Sequence, residues 1–333
     1  AAAVLLIALL AAQTAGAQGP EQKPCQITFY ISGKGTVKLG GSSVTNKQTI
    51  DCTIPYGNHL TITPETGYYV SSVTYEATDG LSIDLYQSYD FQWLFNINPY
   101  EGSETPTITV NIVFDKGLAG GADEASAVAL TAVDDLSRLT CGWYKVESDL
   151  TLGHTVNLHG DTRITIATGA TLTVNTSDDY GISGSALTVS GEGTLAVSAS
   201  KSAISVDNYT QTGCAVTLSG NNYGLNAKNN VSISGGSLTT SGADYGISTD
   251  NGAITISGGT VSASGNQFGL FATKAMNITG GTVSASGNNY GIRGYSVSIT
   301  GGQVTVSSRG IYSTYGDITL GWTSATDYIT ASG

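Results

Sequence analysis

Charged residues are scarce in this sequence, at 11% of 333 residues, and methionine occurs only once. Glycine is abundant instead, with 44 residues, and the apolar residues are mainly Val, Ile, Leu and Ala. This composition is too apolar for a disordered chain and too poor in helix formers for a helical protein. The formal net charge is −12 and no block of Lys or Arg occurs, so the sequence predicts neither nucleic acid nor an anionic membrane surface as a partner.

A long apolar run is also missing. The run Val4 to Ala12 is too short to cross a bilayer, and no other stretch approaches about 18 apolar residues, so the sequence predicts no membrane insertion. The small residues Ala15 to Ala17 follow this run, an order typical of a secretory signal peptide over residues 1–17. Because neither an initiator Met nor a basic segment precedes it, we expect the chain to be truncated at its N-terminus. The expected location is secreted or on the bacterial cell surface.

Only four cysteines are present, namely Cys25, Cys52, Cys141 and Cys214. An exported protein can form disulfides, and Cys25 and Cys52 lie in one candidate β-module, where they could pair across neighbouring strands. Three connectivities are possible, and two free buried thiols are an equally ordinary outcome. The spacing of the cysteines therefore leaves their pairing open.

Residues 25–115 alternate apolar and polar positions between turns rich in Gly, Pro and Asn, which predicts a small, mostly antiparallel β-domain. Its segment "ITFYISGKGTVKLGGSSV" and its T-P-x-x-G-Y motif, Thr63 to Tyr68, resemble the bacterial B-repeat module found in internalins and other surface proteins. The resemblance implies a β-grasp-like spacer without catalytic residues.

Two short segments follow this module. Residues 116–127, "KGLAGGADEASA", are small and flexible and indicate a linker. Residues 128–139, "VALTAVDDLSRL", have helical spacing and predict either a short helix or an irregular cap. This cap opens the last predicted domain, residues 128–333.

The remaining sequence is repetitive. The decapeptide "SGGTVSASGN" at Ser257 returns at Thr279 with only its first residue changed. An aromatic-Gly-aliphatic tripeptide recurs with it, and two degenerate copies contain Ile204 and Ile311. The aliphatic residues of the series lie 19 to 23 residues apart, at positions 182, 204, 225, 247, 270, 292 and 311. A nearly constant period of this size is the signature of a solenoid.

Each period contains three short β-like runs joined by small turn residues. This pattern predicts an all-β chain with a right-handed, single-stranded parallel β-helix of three strands per turn of about 22 residues, stacked at about 4.8 Å. Aliphatic side chains should fill its axis, and the alternating Ser and Thr should face outward. Since the last residues contain no polar capping element, we expect the natural chain to continue beyond them.

Parallel β-helices also occur in pectin lyase-like enzymes, which need clustered acids. Asp179 and Asp244 share one repeat position but lie three turns apart, about 14 Å, too far to act on one bond. No Gly-x-Ser-x-Gly, P-loop or Cys-x-x-Cys pattern occurs. The sequence therefore predicts a protein that is not an enzyme.

Calcium is the one cofactor that the acids allow. Asp178 and Asp179 could ligate it, although a pair of adjacent acids is more typical of a turn. Asp207, Lys228 and Asp250 share another repeat position on successive turns, where they predict either a metal or sugar site or an exposed ladder in which the lysine relieves acid repulsion. The exposed ladder is the simpler interpretation.

Aromatic residues form a column along the repeats: Tyr180, Tyr223, Tyr245, Phe268 and Tyr290. If the rings face water, they form a flat stacking strip beside hydrogen-bonding residues such as Asn222, Asp244 and Asn289, and the strip suits a polysaccharide. Each ring also lies two residues before an inward aliphatic residue, so strand alternation favours an internal stack. Both alternatives remain open from the sequence.

The repeats "YGISTDNGAITISGGTVSASG" and "FGLFATKAMNITGGTVSASG" resemble a family of secreted bacterial carbohydrate-binding β-helix proteins. The resemblance extends over about residues 140–333. It implies binding of cellulose-like or pectin-like polymers and calcium, although the clustered acids of such calcium sites are sparse here.

The sequence as a whole predicts a secreted or surface-exposed, non-catalytic, monomeric solenoid. Its expected partner is a polysaccharide or a host or cell-surface glycan, bound through one flank of the β-helix. Two alternatives are a structural stalk or adhesin with a protein partner, and a polysaccharide lyase or hydrolase.

Overall fold

The structure is a computed structural model that describes residues 22–54, 56–87, 93–102, 104–132 and 134–332. The predicted signal peptide lies outside these residues. The described part of the chain consists of strands, turns and bends without a helix, and therefore contains no helix that could cross a membrane. It divides into two compact units, which separate near residue 115 except that Thr66–Tyr69 belong to the second.

The first unit contains two small sheets. One has the strand order β4-β1-β9-β6 and the other β3-β2-β5-β8-β7. Their bounds are β1 Lys23–Ser32, β2 Gly35–Leu39, β3 Ser42–Val44, β4 Gln48–Ile54, β5 Tyr56–Pro64, β6 Tyr68–Ala77, β7 Ile83–Gln87, β8 Trp93–Ile97 and β9 Thr107–Lys116. Alternate residues such as Ile27 and Phe29 are buried, as their period of two predicts. The prediction of a small β-module before the solenoid is confirmed.

Cysteine pairing is decided by strand register in this unit. Cys25 in β1 lies directly opposite Cys52 in the antiparallel β4, and the two form a disulfide. Cys141 and Cys214 are free thiols, the first exposed and the second buried. One disulfide with two free thiols is thus the outcome.

The second unit is a parallel β-solenoid whose turns form three faces. The first face contains β15 Tyr180–Gly184, β18 Ser202–Val206, β21 Tyr223–Ala227, β24 Tyr245–Thr249, β27 Phe268–Ala272, β30 Tyr290–Gly294 and β33 Ile311–Ser313. The second contains β16 Leu187–Gly191, β19 Tyr209–Gln211, β22 Val231–Ile233, β25 Ile254–Ile256, β28 Ala275–Ile278, β31 Ser296–Ile299 and β34 Ile318–Leu320. The strands of these two faces belong to one sheet of paired parallel strands. This sheet begins with β10 Val128–Ala129, β11 Arg138–Val146 and β13 Val156–Ile166.

The third face is a separate sheet of nine parallel strands, so the solenoid has about nine turns. It consists of β12 Leu150–Leu152, β14 Thr171–Asn175, β17 Thr194–Ala199, β20 Ala215–Gly220, β23 Ser237–Gly242, β26 Thr260–Gly265, β29 Thr282–Gly287, β32 Gln303–Val306 and β35 Tyr328–Ala331. The repeated decapeptides supply β26 and β29, which pair residue for residue from Thr260 with Thr282 onward. The predicted parallel β-helix with three strands per turn is confirmed.

The core runs along the solenoid axis. The aliphatic residues that defined the period pair from one turn to the next and are completely buried in six successive turns: Ile182, Ile204, Leu225, Ile247, Leu270 and Ile292. Valine, leucine and isoleucine from the other two faces pack against them. Burial of this continuous apolar column drives the stacking of the turns.

The segment between the two predicted domains forms a few local contacts. Residues 116–127, predicted as a linker, form isolated bridges to the solenoid at Leu118 and Gly121. The described residues of 128–139 form no helix, so that alternative is wrong. The Asp134 carboxylate accepts hydrogen bonds from the Thr131 amide and hydroxyl at 3.0 and 2.7 Å. Local bonds of this kind compete with helical ones and favour turns.

Candidate functional site

The aromatic column lies in register along the first face. Tyr223, Tyr245, Phe268 and Tyr290 are partners in successive strands. Tyr180 stands apart from them, because the buried Ser202 occupies the intervening turn. The predicted register is therefore correct, and the column has one gap.

The orientation of the rings differs from strict alternation. The glycine after each ring is buried, and a Cβ built on Gly224 would meet the core side chain of Thr240. Glycine and the following aliphatic residue thus both face inward, which turns the ring outward. Tyr180 is 39% exposed, and Tyr223, Tyr245 and Tyr290 are half-buried outside the core. The internal-stack interpretation is therefore wrong for the tyrosines.

The rings pack against one another along the axis. Centroid distances are 5.1 Å for Tyr223–Tyr245, 5.5 Å for Tyr245–Phe268 and 6.3 Å for Phe268–Tyr290, with interplanar angles of 9°, 20° and 10°. Tyr312 continues the stack, 4.7 Å from Tyr290. We call these five rings the aromatic strip. Near-parallel rings at this spacing overlap in an offset stack, so each ring covers part of its neighbour's face. The strip is not the flat platform that the sequence suggested.

Three side chains from a neighbouring column complete the strip. Phe271, Arg293 and Tyr312 are register partners one residue after the inward aliphatic position. The Arg293 guanidinium lies 5.4, 5.1 and 5.8 Å from the ring centroids of Phe268, Phe271 and Tyr312. These cation–π contacts and the neighbouring rings leave Phe268 only 5% exposed. Their shared repeat position, directly after the inward aliphatic residue, could be read from the sequence, but the earlier turns have Ser or Asn at this position.

The residues before the rings form a hydrogen-bonding column. Backbone amides bond from turn to turn here, for example Asp244 N to Asn222 O at 3.0 Å and Asn289 N to Gln267 O at 3.0 Å. The Gln267 amide also donates to the Asp244 carboxylate at 2.9 Å. Asn222 and Asn289 are exposed. The structure therefore brings the predicted amides and Asp244 beside the strip.

The acids considered for metal binding have other partners. Asp179 forms an ion pair with Lys201 at 2.6 Å. The carboxylate of Asp178 accepts bonds from the Thr155 amide and hydroxyl at 3.1 and 3.0 Å. Hydroxyl bonds from Thr176 and Thr155 lower the pKa of Asp178. Among the described residues, no three His, Cys, Asp or Glu converge on a common point.

Asp207, Lys228 and Asp250 follow the first-face strands on successive turns. The Lys228 ammonium lies 3.9 Å from an Asp207 carboxylate oxygen. On its other side, Asp250 accepts a hydrogen bond from the Asn226 amide at 3.4 Å. A cation between the two carboxylates would meet the lysine charge, so the arrangement disfavours calcium at this position.

The fold and this face define a parallel β-solenoid protein with an aromatic, hydrogen-bonding flank. Residues 149–327, more than half of the chain, match the family model described as carbohydrate-binding domain-containing protein. The chain belongs to this family, which indicates carbohydrate binding. No curated protein and no solved structure matches the chain.

Proposed function

We propose that the protein binds a polysaccharide along the aromatic strip, with the polymer parallel to the solenoid axis. The observation that carries this proposal is the continuous stack from Tyr223 to Tyr312 on the outside of the solenoid. Four consecutive turns contribute a ring at the same repeat position and Tyr312 extends the stack from the neighbouring column, so aromatic contacts recur along the axis as sugar units do along a polymer. The family match over residues 149–327 supports the same ligand class.

The contacts available to the polymer are of two kinds. Tyr223, Tyr245 and Tyr290 are half-buried outside the core, and Asn222, Asp244 and Asn289 supply donors and acceptors beside them. Tyr180, beyond the gap at Ser202, offers a further exposed ring. Each contact is weak by itself, and repetition along one chain makes them cooperative. Affinity should therefore increase with ligand length.

We also propose that the protein is non-catalytic, secreted or displayed on the bacterial surface, and monomeric. Asp179 and Asp244 are three turns apart by register, about 14 Å, beyond the separation that a glycosidase pair requires. The disulfide between Cys25 and Cys52 is consistent with an oxidising compartment. A spacer role for the first unit fits the same location.

The test is retention of the full chain on β-glucan, arabinoxylan, galactomannan and polygalacturonate, with calcium or with a chelator, while released sugar ends are assayed. We expect retention on at least one polymer without released ends, and tighter binding to longer oligosaccharides. Oligosaccharides that bind as tightly as polymer would contradict the repeated-contact mechanism. Released sugar ends would favour a lyase or hydrolase.

Tyr245→Ala tests the strip directly, because this ring stacks on a neighbouring ring on each side. Tyr30→Ala, which removes an exposed tyrosine of the first unit, is its control. Loss of retention by the first variant alone supports the strip as the site. Retention on none of the four polymers, together with saturable binding to a protein, would favour the stalk or adhesin instead.

A further inference from the structure

The ladder of Asp207, Lys228 and Asp250 lies on the same face as the strip, in the turns after its strands. Backbone bonds fix their positions: Asn229 N donates to Asp207 O, and Asn251 N to Lys228 O, both at 2.8 Å. Carboxylate, ammonium and carboxylate therefore repeat at the turn spacing, about 4.8 Å.

Asn226 connects this ladder to the strip. It follows Tyr223 by three residues in β21, and its amide nitrogen donates to Asp250 at 3.4 Å. Its Oδ1 atom is buried without a hydrogen-bond partner. A buried acceptor without a donor is costly and rare in folded proteins. A hydrogen-bond donor of a bound ligand could therefore satisfy this atom.

Tyr223 and Asn226 lie in the same strand, β21, and both are half-buried. Burial raises the pKa of the Tyr223 phenol, and the negative charge of Asp250 contributes to the shift. Strand β21 thus carries the ring and the amide, and Lys228 and Asp250 lie directly after β21 and β24 on successive turns.

We propose that Asn226, Lys228 and Asp250, with the ring of Tyr223, form a subsite for the hydroxyl groups of one sugar unit. This inference rests on the proposed polysaccharide binding. It adds polar contacts for the same ligand to the aromatic contacts of the strip. A cation is repelled by Lys228 and an anion by Asp207 and Asp250, so an uncharged group of adjacent hydroxyls fits the ladder best.

Each group has a role in the subsite. Asp250 accepts a bond from one hydroxyl, and Lys228 donates to the oxygen of the adjacent hydroxyl. A small movement of the half-buried Asn226 side chain would let a further hydroxyl donate to its Oδ1 atom, which has no partner within the described part of the protein. Asn226 also positions Asp250 through its amide nitrogen.

The experiment compares Asp250→Asn, Lys228→Met and Asn226→Ala in the full chain, on every polymer of the four-polymer panel that the wild type retains. Losing a hydrogen bond to a charged group should raise the half-saturating polymer concentration about tenfold. Lys201→Met is the control, because Lys201 forms a closed ion pair with Asp179 on the same face. We expect this control to bind within about twofold of the wild type.

Unchanged binding by folded Asp250→Asn and Lys228→Met would overturn the subsite, and so would an equal loss in Lys201→Met. If Tyr245→Ala loses retention while the ladder variants keep it, the strip stands and the subsite is wrong. Retention of the wild type on none of the polymers overturns both. Thermal unfolding of each variant identifies any that fails to fold. The polymer binding of the remaining subsite variants then tests the proposal.

Discussion

The phenol rings of Tyr223 and Tyr245 stack with centroids 5.1 Å apart and planes 9° from parallel. They come from strands that are register partners, so the stack is a direct consequence of the repeat period. The same geometry recurs with Phe268 and Tyr290. Backbone register thus places the first four rings of the strip, and Tyr312 joins them from the neighbouring column.

This stack should contribute measurable coupling energy. A double-mutant cycle with Tyr223→Ala, Tyr245→Ala and the double variant is expected to give about 0.5 to 1.5 kcal/mol, because stacked aromatic pairs add that much beyond area burial. Chemical denaturation of the four proteins measures it. A cycle between Tyr245 and Tyr30 is the control, and coupling of equal size there would contradict the assignment to stacking.

Gly246→Ala should destabilise the solenoid. A Cβ at this position would lie 2.7 Å from the Gly269 carbonyl oxygen and 2.8 Å from the Ser264 amide nitrogen. Since both are backbone atoms, we expect a loss of about 1 to 3 kcal/mol in unfolding free energy. Gly153→Ala, where no atom lies within 4 Å, is the control and should change stability by less than about 0.5 kcal/mol. Equal melting temperatures for both variants would show that the glycine is not required for packing.

Stability should fall in acid partly because of Asp178. The pKa of this carboxyl is lowered from 3.8 by hydroxyl bonds from Thr176 and Thr155. Its stabilising contribution is present above the unfolded value and disappears as the pH falls through the folded pKa. The difference in melting temperature between wild type and Asp178→Asn should therefore shrink between about pH 6 and about pH 2. A constant difference over this range would contradict the prediction.

The two free thiols should differ in reactivity. Burial raises the pKa of Cys214 to about 11, and its Sγ donates to Ser190 O at 2.8 Å, whereas Cys141 is exposed. A thiol–disulfide exchange reagent should modify one thiol quickly in the native protein and the second only on unfolding. Cys141→Ser should abolish the fast reaction. Rapid modification of both thiols in the native wild type would contradict the burial of Cys214.

Much of the fold could be predicted because the repeat carries its own register. Once Ile247 and Leu270 are aligned by period, every other residue of their turns is aligned too. The segment around Thr131 and Asp134 could not be predicted in this way, because it occurs once and its turn depends on a local hydrogen bond.

The candidate site was predicted only in part. The aromatic residues, Asn222 and Asp244 were found by their repeat positions. Phe271 and Arg293 were missed, because they share a structural column but not a residue type with the turns before them.

The sequence by itself determined the period, the inward aliphatic column and the parallel stacking, because a constant repeat with one apolar position per strand can bury that position only by stacking turn on turn. Tertiary structure decided which way the tyrosines point, since the outward turn depends on each glycine fitting against the core. It also decided that Tyr312 joins the strip and that Asn226 meets Asp250. These relationships depend on side-chain positions across neighbouring turns, which the order of residues within one turn does not specify.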